Sequence, residues 1–216
     1  MKRIFLLLVF SLIITVSLTA NTAINIRGGF LVPSGSKTSF MPGASYGINV
    51  DDIVELTVGM DLFYNNYTES RVASFDTTKA GNIVDIVKTG TDVKTIYVPL
   101  MTTLKISFPL EMAFTPYGGV GLGWAILWED IFVPASDEPN QEHNAIEESD
   151  IYNGFNWILQ LGARYQLSPN VHFYGESFYN FGKMKKDIKR DEYGRTWDEI
   201  DMSGLGLRIG VEMALR

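Results

Sequence analysis

The chain has no cysteine. That excludes a disulfide, a thiolate nucleophile, a Cys-ligated metal and a lipid-anchored lipoprotein. Basic residues are outnumbered, 18 Lys and Arg against 25 Asp and Glu, for a net charge of −7. That balance argues against nucleic acid as a partner. Histidine occurs only at His143 and His172. Beyond the first twenty residues, no apolar run approaches the length of a membrane-spanning helix. What the chain does have is glycine, 20 residues, and a generous share of aromatics.

Residues 1–20 read as a secretory signal peptide. Lys2 and Arg3 form a positive start, Ile4 to Leu18 an apolar stretch, and Ser17, Thr19 and Ala20 a small-residue exit, with cleavage expected after Ala20. Residues 21–216 then form one domain.

In that domain the dominant pattern is alternation. From 154 to 167, Phe155, Trp157, Leu159, Leu161, Ala163, Tyr165 and Leu167 interleave with Asn156, Gln160, Gly162, Arg164 and Gln166. Only Ile158 breaks the pattern. Period two means a strand with one apolar and one wet face. Its length suits a tilted strand crossing roughly 30 Å of hydrocarbon. The pattern recurs at about 22–32, 43–50, 54–65, 93–106, 115–128, 171–182 and 203–215, giving eight strand candidates.

Three connections are tight turns, at 51–53, 109–111 and 168–170, with Asp, Pro, Ser and Asn. Four are long, about 33–42, 66–92, 129–153 and 183–202, and read as structureless loops. Short turns at one end and long loops at the other is the asymmetry of outer-membrane barrels. The non-apolar phase decides against a soluble barrel. It carries Gly29, Gly47, Gly59, Gly119, Gly121, Gly123, Gly162, Gly204, Gly206 and Gly210, where a wet surface would carry Lys, Glu and Thr. Small residues suit a narrow lumen. An apolar phase turned to water would be a patch far larger than monomers tolerate. The fold expected is all-β: an eight-stranded antiparallel up-and-down transmembrane β-barrel.

Tyr97-Val98-Pro99-Leu100, followed by Pro116-Tyr117-Gly118-Gly119-Val120-Gly121-Leu122-Gly123, resembles the small OmpA-like outer-membrane barrel superfamily. Arg27-Gly28-Gly29-Phe30 and Gly43-Ala44-Ser45-Tyr46-Gly47 are similar to its first hairpin. The resemblance spans the mature chain and implies a mostly non-enzymatic barrel in the bacterial outer membrane: structural, adhesive or a small pore. One departure is the end, Met213-Ala214-Leu215-Arg216, where many such barrels carry an aromatic that assists assembly.

The lumen phase carries charge: Arg27, Glu55, Asp61, Lys105, Arg164, Glu176, Arg208 and Glu212. Buried charges must pair. Strand alignment puts Arg164 diagonal to Glu176, Glu176 near Arg208, and Glu212 near Arg27. A structural ion-pair core is the preferred reading, a narrow gated ion path the sharper one. Catalysis has little support. Ser177 falls in the lipid-facing phase, opposite His172, and Ser168 sits in a turn. The acidic stretch Glu129 to Asp150 lacks calcium-loop spacing. No cofactor or metal is expected. The expected role is structural or surface interaction through the long loops, with a plugged polar lumen. The alternatives are a small channel or lateral route for small or apolar molecules, and, least favoured, a lipid-modifying barrel enzyme. Expected partners are outer-membrane lipid and an extracellular ligand. The Lys183, Lys185, Lys186, Lys189 and Arg190 cluster is suited to lipid phosphates or the acidic loop.

Overall fold

The computed structural model describes residues 22–77, 83–110, 112–134, 145–191 and 194–215, with backbone alone at 69–77, 83–89, 189–191 and 194–195. The expected export signal over 1–20 and His143 lie outside the described residues.

The strands are β1 (Thr22–Pro33), β2 (Ser39–Asn49), β3 (Val54–Asp61), β4 (Phe63–Thr77), β5 (Ile83–Ser107), β6 (Phe114–Val133), β7 (Ile146–Ser168), β8 (Val171–Asp191), β9 (Gly194–Asp201) and β10 (Gly204–Leu215). All pairings are antiparallel. β10 pairs with β1, and the order runs through β2, β3, β5, β6, β7 and β8 back to β10. This closes a ring of eight.

Ten segments make eight strands because two strands are interrupted without losing register. Met60 faces Leu100 and Phe63 faces Tyr97, so β4 continues β3 past Leu62. Likewise β10 continues β9, with Lys183 opposite Asp201 and Asn180 opposite Gly204. Closure removes every strand edge from the lipid layer, which has no water to satisfy one.

The outward phase is apolar and exposed. Leu161, Leu207 and Ile209 are 69%, 61% and 60% accessible. Aromatics flank this band: Phe30, Tyr64, Trp124, Trp128 and Phe155 near one end, Tyr165 and Phe173 near the other. Inward, glycines make room for rings. A Cβ on Gly162 would lie 2.6 Å from the Tyr117 ring, and one on Gly210 2.7 Å from that of Tyr174.

The four long connections differ from the sequence-based expectation. β1 and β2 extend until only 34–38 separates them. Proline and glycine around 33–43 read as loop, yet Phe40 points outward and Met41 is buried. Pro42 stands opposite Gly28, and its carbonyl accepts the Leu62 N–H at 2.8 Å. The described parts of 66–92, 129–153 and 183–202 are extended and paired. Asn66 pairs with Lys94, Glu129 with Asp150, and Lys183 with Asp201. Above the membrane the outer face of a strand is no longer lipid-facing and polar residues occupy both phases, so alternation fades while the backbone ladder persists. The barrel wall therefore rises into a crown of three tall hairpins beside one short turn.

Candidate functional site

Two contrasting compartments fill the lumen. The half toward the crown is mostly apolar, around one buried amide pair in which Asn156 donates to Asn180 at 2.8 Å and Asn180 donates to the Tyr97 hydroxyl at 3.2 Å. Leu31, Met41, Phe63, Tyr97, Leu127, Tyr152, Phe178, Met184 and Met202 pack together there, and Phe63, Leu127 and Met184 are fully buried. The half toward the tight turns holds the charges.

There the side chains form two chains of ion pairs. In the first, Arg27 donates to both Asp61 oxygens at 2.6 and 3.0 Å and to Ser45 Oγ at 3.0 Å. Arg208 reaches the same Asp61 at 3.2 Å, donates from Nε to Glu176, and donates from Nη2 to Gln160 Oε1 at 2.9 Å. The Tyr117 hydroxyl donates to Glu176 at 2.7 Å. In the second, Glu55 lies 3.7 Å from Lys105 and 2.6 Å from Arg164. Arg164 also reaches Glu212 at 3.1 Å, and His172 lies 3.7 Å from Glu212. Tyr117 and Tyr174 separate the two chains, each ring 5.6 Å from the Lys105 ammonium.

Of the sequence-derived pairings, Glu176 and Arg208 meet. Arg164 does not reach Glu176, although the register does set them diagonally. Its guanidinium crosses the lumen to Glu55, 109 residues away in sequence. Arg27 does not meet Glu212 either. Asn25 faces Glu212 and Gly210 faces Arg27, so Arg27 turns to Asp61 instead. Neighbour-strand reasoning fails because an eight-stranded lumen is narrow enough for long side chains to span. Ser177 lies on the outer face and His172 on the inner, so the two cannot share a proton.

Above the membrane, the crown carries its own polar row on the inner wall. Asn65, Thr95, Glu129 and Asp150 face one another on consecutive strands. Lys186 donates to Asp150 and pairs across the next ladder with Asp198. Tyr152 donates its hydroxyl to Asp198 at 2.8 Å. Burial, then the Asp198, Asp150 and Glu148 charges, push the Glu129 carboxyl above its ordinary pKa. On the outer wall, Lys183 and Lys185 share Glu199 at 2.9 and 3.1 Å. That holds the Glu199 carboxyl below its ordinary value, through the Lys183 hydrogen bond first. The crown row is not legible in the sequence, because 129–153 reads as loop, where face assignment has no meaning.

A closed ring of eight strands, lipid-facing outside and filled inside, defines an outer-membrane β-barrel. The chain belongs to the outer membrane protein beta-barrel domain family, whose model matches residues 13–212. Among solved structures it is similar to OprG from Pseudomonas aeruginosa, at 15% identity and TM-score 0.53, covering 91% of this chain and 97% of that one. It is also similar to Neisserial surface protein A, at 16% identity and TM-score 0.50, covering 89% and 95%. At these identities the likeness is one of fold. No curated protein matches the sequence.

Proposed function

We propose that this barrel works through its crown and not through its lumen, as a non-catalytic structural or surface-interaction protein of the outer membrane. The observation that carries this reading is the double filling of the lumen. An apolar plug of Phe63, Tyr97, Leu127 and Met184 sits over two chains of ion pairs. Eight strands enclose space for side chains and little more. The material left to vary is the crown, where the hairpins present charged and aromatic faces to the outside.

The test is swelling of proteoliposomes in a small sugar. The wild-type protein should give no swelling above empty liposomes, and porin-like swelling would overturn the reading. A second reading, a lateral route for small apolar molecules, is favoured by the apolar upper compartment and the low wall at 34–38. Protein-dependent uptake of an apolar solute, with none of the sugar, would select it.

A further inference from the structure

The crown row contains a mismatch. Lys186 supplies Asp150 with an ammonium. Glu129, opposite Asp150 in the ladder, is paired with no cation among the described residues. Thr95, opposite Glu129 on its other side, is 1% exposed, and its hydroxyl has no hydrogen-bond partner. A buried hydroxyl without a partner is costly and rare. Two residues nearer the membrane on these strands stand Phe63, Tyr97, Leu127 and Tyr152, all buried. That apolar floor lowers the local dielectric and strengthens any charge above it.

We propose that this row binds the ammonium or guanidinium head of a small organic cation entering from outside, held by Glu129, Asp198 and the Thr95 hydroxyl. The occupied half of the row shows the chemistry, since an ammonium already rests against Asp150. A bare metal fits less well. Among the described residues no three carboxylate or histidine groups converge on one point. An ammonium instead carries three donors and a guanidinium five, which can be shared among separated acceptors. Glu148, further along β7, adds negative potential at the entrance. This inference rests on the reading of the crown as the working surface and supplies its ligand class.

The experiment is calorimetric titration of the full barrel in detergent micelles with spermidine at fixed ionic strength. Glu129→Gln is the test variant. Glu147→Gln is the control, because it removes the same charge from the outer face of β7. Chemical unfolding of each variant establishes that it is folded. The expected result is saturable binding by the wild type, at least tenfold weaker in Glu129→Gln and unchanged in Glu147→Gln. Three results would overturn the proposal: no saturable binding, equal losses in both variants, or displacement of spermidine by magnesium at equal ionic strength. A barrel that conducts would contradict the closed-lumen reading but leave this titration interpretable.

Discussion

The two halves of the lumen solve one problem, filling a narrow tube, by opposite means. Near the crown, Leu31, Phe63, Leu127, Met184 and Met202 fill it by packing, and a defect there costs contacts and leaves a cavity. Near the tight turns, Arg27, Asp61, Arg208 and Glu176 fill it by pairing, and a defect there strands a charge. The lesson concerns tolerance. An apolar plug degrades in proportion to the volume removed. An ion-pair chain fails abruptly when one member goes, and recovers when its mate goes too.

The largest expected effect is therefore in the charged half. Arg208→Met should destabilise the barrel by about 3–5 kcal/mol, the cost of leaving a buried partner uncompensated. Adding Glu176→Gln should recover a good part of that loss. Urea unfolding from lipid vesicles measures both, and simple additivity of the two would break the comparison. In the apolar half, Leu127→Ala should cost about 2–5 kcal/mol, set by how far the site collapses. No second substitution should rescue it except one that refills the volume.

The lipid face is the reference for both halves. Leu161→Arg should cost about 2–4 kcal/mol near the midplane. Gly162→Leu, one residue on, should fail through crowding against Tyr117. If vesicle refolding tolerates Leu161→Arg and fails for a mild polar swap at Gln160, the face assignment is inverted.

The smallest effect lies in the crown. The native state holds the Glu129 proton more tightly than the unfolded chain does, so ionised Glu129 destabilises the hairpins at neutral pH. Stability of the crown should rise as pH falls into the Glu129 titration. It should fall again as pH drops through the lowered Glu199 value, where the Lys183 and Lys185 pairs are lost. Limited proteolysis of the crown against pH reads this. Glu129→Gln should remove the rise and leave the acid loss in place.

Much of this architecture is legible in the sequence, because lipid and lumen impose a strict period of two. Leu159, Leu161 and Leu207 face lipid, as their phase indicates, and the ring has eight strands. The apolar plug was less visible. Leu31, Phe63 and Leu127 share the phase of the lumen glycines, while the alternation itself sets Tyr97 and Phe178 inward and marks Ile158 as a break. A filled lumen can use either polarity, so phase gives direction and not chemistry. Pairing was legible only where partners are cross-strand neighbours, as for Arg208 and Glu176. The pair of Arg164 and Glu55 spans the tube, and no local pattern encodes it. The crown hairpins are hidden because polar residues occupy both phases there, which erases alternation.

The most direct measurement is single-channel recording in planar bilayers of four proteins: wild type, Leu127→Ala with Phe63→Ala, Glu176→Ala with Arg208→Ala, and all four changes together. If the lumen is closed twice and independently, the wild type and both two-site variants carry no steady current and the fourfold variant conducts. A steady, large conductance in the wild type, or in either two-site variant, would contradict the account.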